Sequence, residues 1–589
     1  MAYCCSSSGG GDVSNDENGG YGRLHMKSNQ PQQETKEEDV EEGRNSNKDN
    51  MGRGALLGRR QRWMVVGMAA VGMGVAVACL AVGVVRLVSP DSNGKASSSP
   101  TIRKLCSSTL FPDTCESSLS GYPGAGAADP WKLVAISMRV GMQGMAQEME
   151  SVERLLLLHQ SSSPPSIAAL NDCIELLDKS MDAINTSLTF FLNSFDDADV
   201  RTWASASLTY HSTCLDGLQQ QQQGNMMMGL EEGNTVTHLL SNSLALLTAL
   251  SGGAGPSKQE EEGRQLDWVD DDGSAAADVV VSRDGSGNYT RIQEAVDAAP
   301  WGINGKRRYV IGIRAGLYEE SISIPKRLTN IVLLGDGINH TVIRQSKSLS
   351  DGVSIYASAT LAVNGDGFIA KDLTIDNDSG PEQMEGVAVR VSADRTAFFR
   401  CSFKGNRGTL YTHALRQFYR ECTILGTSDF IFGNAAAVLQ KCTLIGLALP
   451  PLNSSNSNQQ SIAIAGQMRT DPGQNTGLSF DRCSIDFSSS PIYLGCPHRN
   501  YSRVAFLQSH LSAAVDPAGW LQPPPSSLIA LERVVMGEYR NQGPGSQKLR
   551  RVKWSTQLTP KQASSLSVKE FINGSKWLPT TGIRFDLSI

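Results

Sequence analysis

Residues 400–403, RCSF, return as ECTI at 421–424, as KCTL at 441–444 and as RCSI at 482–485. Their cysteines, Cys401, Cys422, Cys442 and Cys483, are 21, 20 and 41 residues apart, close to one, one and two turns of a common period. Weaker echoes stand at Asp372-Leu373-Thr374-Ile375 and Ser509-His510-Leu511-Ser512. A period of about 20 residues with short β-rich segments marks a solenoid, in which each turn buries its face on the next. From residue 275 onward the expected architecture is an all-β right-handed parallel β-helix with its cysteines stacked at equivalent inward positions. They are expected to form a reduced core ladder and not a metal site, because stacked turns do not create tetrahedral ligand spacing.

Upstream, residues 253–274 (GGAGPSKQEEEGRQLDWVDDDG) are acidic and Gly-rich, a linker by composition. Residues 101–252 have a different period. Leu170, Cys173, Ile174, Leu177, Met181, Ile184 and Leu188 step by three and four, an apolar helical stripe, and 239–250 forms a second run with Gly252 as its expected C-cap. Gln219–Gln223 and Met226–Met228 read as a low-complexity loop between helices. Cys106, Cys115, Cys173 and Cys214 fall here, an even number that allows three pairings. A disulfide-stapled all-α bundle is expected.

Residues 63–85 (WMVVGMAAVGMGVAVACLAVGVV) carry no charge. As a helix they would run roughly 35 Å, enough for a hydrocarbon core of about 30 Å. Arg53, Arg59, Arg60 and Arg62 precede the segment, and Arg86 alone follows it. The charge bias predicts a single-pass type II signal-anchor, with 1–62 as a disordered cytosolic tail and the rest in the lumen of the secretory pathway. Cys4 and Cys5 in that tail are expected to be free thiols. Seven Asn-x-Ser/Thr sequons follow the anchor, at Asn185, Asn288, Asn339, Asn377, Asn453, Asn500 and Asn573, and are expected glycosylation sites. The 589 residues suit two or three folded units, and a net charge of −6 argues against nucleic-acid binding. DGSGNY, residues 284–289, lacks the Lys of a phosphate loop and reads as a turn.

Several strings in residues 275–589 resemble plant pectin methylesterases over nearly their whole length. They are ADVVVSRDGSGNYTRIQEAVDAAP, YVIGIRAGLYEE, LLGDGINHTVI, DGFIAKDLTIDN, LRQFYRECTILGTSDFIFGNAA, MRTDPGQNTG, DPAGW and EYRNQGPGS. Residues 101–252, with NDCIELLDKSMDAI and TCLDGL, resemble that family's inhibitor-like pro-region. The resemblance implies a four-helix bundle with Cys106 paired to Cys115 and Cys173 to Cys214. It also implies hydrolysis of methyl esters on homogalacturonan pectin without metal or cofactor. One Asp would attack, a second would serve as acid and base, two Gln would hold the oxyanion, an Arg would position the nucleophile and a Trp would line the sugar subsite. Each part has a physical reason: an aimed, ionised carboxylate, a proton for a basic leaving methoxide, and fixed donors for a tetrahedral oxygen.

By that resemblance Asp429, in GTSDFIFG, holds the nucleophile position. The plainer reading of Asp429 is a buried carboxylate capping a β-helix turn. The other parts are replaced. The segment expected to read GYQDTLY is Gly405-Asn406-Arg407-Gly408-Thr409-Leu410-Tyr411, which puts Arg407 at an oxyanion position and Gly408 at the general-acid position. Glu385 takes the second oxyanion position, and Gly495-Cys496-Pro497-His498 stands where the family reads GRPW. Losing a general acid typically costs ~10²–10⁴ in rate, and one oxyanion donor roughly 10²–10³. The expected function is a pectin-binding or regulatory homologue with weak or no catalysis. Two other expectations compete: an active pectinesterase in which Arg407, Glu385 or His498 repairs the site, and inhibition of other pectinesterases through residues 101–252. His413 is expected to be a structural polar side chain. Arg264-Gln265-Leu266 lies where the family has a basic processing motif. The expected location is the Golgi membrane or, after processing, the cell wall.

Overall fold

The computed structural model describes residues 99–158, 164–193, 196–220, 231–251, 276–302, 307–380, 385–448, 462–487 and 491–589. The expected tail, anchor and linker, with Arg264, Gly252 and Asn453, lie outside them. Among the described residues no helix is long and apolar enough to cross a membrane.

Among the described residues six α-helices come first: α1 (Pro100–Cys106), α2 (Pro112–Ser120), α3 (Pro130–Leu158), α4 (Pro164–Asn193), α5 (Asp197–Gln220) and α6 (Glu231–Ser251). The first four begin on proline, whose fixed φ suits the first helical turn and whose missing N–H costs nothing there. Asp196 caps α5, its Oδ1 accepting from the Ala198 amide at 3.0 Å. The four long helices α3–α6 pack through Leu133, Met138, Ile184, Leu208, Leu240 and Leu244, all buried. Disulfides join Cys106 to Cys115 and Cys173 to Cys214, the pairing implied by the resemblance. The first ties α1 to α2 and the second ties α4 to α5.

From Val279 the chain winds through three parallel sheets of eleven, seven and eight strands, each coil adding strands to the stack. This is the expected parallel β-helix. The repeated strings sit in register: Ser402 pairs with Thr423, Thr423 with Thr443 and Thr443 with Ser484. The residue after each of these is inward and forms a ladder, Ile343, Ile375, Phe403, Ile424, Leu444, Ile485 and Leu511. All four cysteines of the repeat are free and buried, as expected of a core ladder. The 41-residue interval needs correction. Because Thr443 pairs directly with Ser484, Cys442 and Cys483 lie on adjacent coils, and one enlarged coil separates them.

The middle sheet carries the candidate site. Its strands are β1 (Ile322–Ile324), β2 (Leu361–Val363), β3 (Val389–Val391), β4 (Leu410–Thr412), β5 (Ile431–Gly433), β6 (Ile462–Gln467) and β7 (Ile492–Pro497). Arg390, Tyr411, Phe432, Gly466 and Cys496 pair in one row across it. The helical bundle seats on this sheet. Leu176, Tyr210, Cys214 and Leu218 from α4 and α5 share an apolar cluster with Tyr356, Tyr411, Phe432 and Met468.

Candidate active site

Asp429 lies two residues before β5, in a left-handed conformation with φ of 44°. Its amide donates to the Ala463 carbonyl at 2.7 Å, which pins the turn to the neighbouring coil. The side chain does something else. Both carboxylate oxygens are buried and accept no hydrogen bond from the described residues, so Asp429 is not a turn cap. A buried carboxylate with no donors is costly, and such groups concentrate where chemistry needs them.

Among the described residues, the ion-pair partner of Asp429 is His498, whose Nε2 is 3.4 Å from Oδ2. The two residues are 2% and 6% exposed. Gly466 on β6 makes this approach possible: a Cβ there would lie 2.7 Å from His498 Nε2 and 3.3 Å from Asp429 Oδ1. The His498 backbone is fixed by its amide, which donates to Gln467 O and Ser502 Oγ at 3.3 and 3.2 Å. Cys496 is buried beside Ala463, in the row with Gly466, and brings no guanidinium.

The segment with Gly408 meets the Asp429 segment at one corner. Thr427 donates its amide to Asn406 O at 2.9 Å, and a Cβ on Gly408 would lie 3.2 Å from Phe432 Cε1. Gly408 has φ of 73°, a conformation that strains other L residues. It has no proton to give. The two positions expected to hold the oxyanion lie together: Arg407 Nη1 is 3.6 Å from Glu385 Oε1, with Glu385 buried and Arg407 half-buried. Ionised Glu385 is acceptor-only, and Arg407 points part of its donor fork at it. This charge-neutral pair differs chemically from two amide donors aimed at a vacant oxyanion position.

The helical domain closes the row from above through polar contacts as well as apolar ones. Arg499, next to His498, reaches Asp216 of α5 at 2.6 Å, and Arg416 reaches Asp199 at 2.6 Å. Lys179 of α4 donates to Asn364 Oδ1 at 2.8 Å and to the Tyr356 hydroxyl. Burial, reinforced by nearby Arg390, pulls the Lys179 ammonium down to about 8. His413 bridges the domains, Nδ1 to Ser392 Oγ at 2.8 Å and Nε2 to Thr213 Oγ1 at 2.9 Å. Burial, then Arg390 and Lys179, hold it well below the usual histidine range, as befits the expected structural role. The seat contacts were not legible beforehand, because no sequence spacing links α4 and α5 to such distant coils.

Two further expectations have outcomes. DGSGNY is a turn, with Asp284 Oδ1 accepting from Ser282 Oγ and the Ser286 amide at 2.7 and 2.9 Å. Asn377 is corrected as a glycosylation site. It is 1% exposed, and its Nδ2 donates to Lys347 O at 2.9 Å and Val387 O at 3.0 Å, so the folded chain leaves no room for a glycan. Asn185, Asn288, Asn339 and Asn500 are exposed, and Asn573 is half-buried.

Comparison with known proteins places these features. A family model described as Pectinesterase matches residues 278–575, and one described as Plant invertase/pectin methylesterase inhibitor matches residues 100–246. The chain is 36% identical over 552 residues to the probable pectinesterase/pectinesterase inhibitor 61 of Arabidopsis thaliana, covering 87% of this chain and 92% of that one. It is 39% identical over 445 residues to the pectinesterase/pectinesterase inhibitor PPE8B of Prunus persica, covering 71% and 82%. The solved structure of pectin methylesterase from carrot aligns with a TM-score of 0.51 at 39% identity, over 54% of this chain and 99% of that chain.

Proposed function

This chain belongs to the pectinesterase family, with an inhibitor-type helical domain ahead of the β-helix, and from that premise we propose that it acts on methyl-esterified homogalacturonan as a pectin-binding or regulatory member with weak or no ester hydrolysis. The observation that carries this reading is the Glu385–Arg407 pair beside Gly408. Two positions that should each offer a free donor instead neutralise each other, and the position that should hold an acid holds none. Tyr411 and Phe432 stack at 4.3 Å in the row, buried beneath α4 and α5.

A second reading, residual hydrolysis, is favoured by the unsatisfied Asp429 carboxylate facing His498. The bundle seat bears on the third expectation, inhibition of other pectinesterases. The α4–α5 face rests on the chain's own middle sheet, so action in trans would require that face to leave it. The disulfides Cys106–Cys115 and Cys173–Cys214 support a secretory compartment, with residues 63–85 as the proposed type II anchor.

The test uses immobilised, highly methylated homogalacturonan and purified protein. Retention that soluble homogalacturonan competes away, with methanol release at least a hundredfold below that of the carrot enzyme, is the expected result. Absence of retention together with sustained methanol release would reverse the reading.

A further inference from the structure

The replacement of the family's Arg and Trp by Cys496 and His498 did more than remove two side chains. It placed an imidazole against the buried carboxylate of Asp429. We propose that His498 is the positioning partner and proton carrier of Asp429, so that any ester hydrolysis by this site runs through an Asp–His pair. This rests on the reading of Asp429 as the ester-attacking group. Three observations meet here. Among the described residues the Asp429 oxygens have no hydrogen-bond donor, so compensation must come from a charged or proton-bearing neighbour. Among the described residues the one within ion-pair distance is His498, at 3.4 Å. The approach is built, since Gly466 alone leaves the space, and the His498 backbone is held at both Gln467 and Ser502.

The chemistry balances with these two groups and water. One Asp429 oxygen bonds to the ester carbon of a methyl galacturonate. When the tetrahedral intermediate collapses, the bond from that carbon to the methoxyl oxygen breaks. The Nε2 proton of His498 passes to the departing methoxide, giving methanol and an acyl-Asp429 anhydride. Water then returns a proton to Nε2 as its oxygen attacks the acyl carbon. The bond to Asp429 breaks, freeing the uronic acid and restoring the carboxylate beside the protonated imidazole. Gly408, without a side chain, has no part in these transfers, and Arg407 keeps donors besides the one facing Glu385.

The test has two arms on the full chain. Nitrogen-15 histidine NMR, without substrate, looks for a slowly exchanging proton on Nε2 of His498, identified by its loss in His498→Gln. It is expected in the parent and absent or markedly shifted in Asp429→Asn; an unchanged signal in Asp429→Asn overturns the pairing. The second arm measures methanol from highly methylated homogalacturonan. His498→Gln is expected to lower kcat at least tenfold with KM unchanged, with the double variant no slower than Asp429→Asn. His498→Gln as fast as the parent, where Asp429→Asn is dead, overturns the proton role. A parent no faster than Asp429→Asn also overturns that role, and leaves the non-catalytic function standing with the pairing decided by NMR. Equal, substantial rates in parent and Asp429→Asn would instead sink the reading of Asp429 itself.

Discussion

Position 408, where the resemblance leads one to expect the general acid, is backbone-constrained. An L residue there must adopt φ near 73° with its Cβ 3.2 Å from the Phe432 ring, unless the turn moves. The left-handed conformation costs about 1–2 kcal/mol. Gly408→Asp alone is therefore expected to lower the melting temperature by a few degrees and to leave methanol release within about tenfold of the parent, since Glu385 and Arg407 still neutralise each other. Calorimetry and a methanol assay on the single variant check this. The expected acid, oxyanion and Arg positions could be assigned residue by residue from the resemblance. The two new pairs were not read: Glu385 and Arg407 stand 22 residues apart, about one coil, while Asp429 and His498 stand 69 apart and meet only through sheet register. A second residue makes a pH prediction. Burial, then the neighbouring Asp394, raises the Asp366 carboxyl to about 6. Its folded value lies above its unfolded one, so its contribution is fully present below about pH 4 and is lost as pH rises through 6. Asp366→Asn, which can keep the acceptor for the Asp394 amide, is expected to raise stability at pH 7 by about 1–3 kcal/mol and to flatten the gain on acidification. Melting temperatures from pH 4 to 7 are the measurement.

At the scale of elements, the coil corner repeats more faithfully than the sequence does. Asp372, Arg400, Glu421, Lys441, Arg482 and Gln508 all have φ between 49° and 57°, and in five of the six the next residue is one of the repeat cysteines or Leu373. No glycine or asparagine marks these corners, so the usual turn signals miss them. What was legible was the inward residue that follows, Cys then Phe, Ile or Leu, because burial imposes that choice on every coil. The long coil between Cys442 and Cys483 hid its nature because length alone cannot separate two short coils from one enlarged one. Asn377 belongs to the same scale. Its carboxamide ties three segments together, donating to Lys347 O, Ser358 O and Val387 O. Asn377→Ala is expected to cost about 1–3 kcal/mol by orphaning buried carbonyls. Glycopeptide mass spectrometry is expected to find Asn377 bare while exposed Asn185 and Asn339 are available for glycans; denaturant unfolding checks the energetic part.

For the whole molecule, the decisive feature is the seat of the bundle on the middle sheet, which covers the Asp429 row with both apolar packing and charge. Asp199 and Asp216 face Arg416 and Arg499 across it. The variant Asp199→Asn, Asp216→Asn is expected to speed amide exchange in 410–415 and in α5 on the order of tenfold, equivalent to about 1.4 kcal/mol of seat stability. Hydrogen-exchange mass spectrometry checks it, and unchanged exchange would mean that the apolar cluster alone holds the domains. Two folded units and their classes were legible from periodicity, yet nothing in either period specified that one would close the other's cleft. That closure is the reason to assay a variant with a loosened seat beside the intact chain. The most direct test of the site account is therefore methanol release from highly methylated homogalacturonan by the parent and by the seat variant, beside the carrot enzyme. The account expects both to stay at least a hundredfold below the carrot enzyme; a seat variant that matches the carrot enzyme, and loses that rate on adding Asp429→Asn, would contradict it.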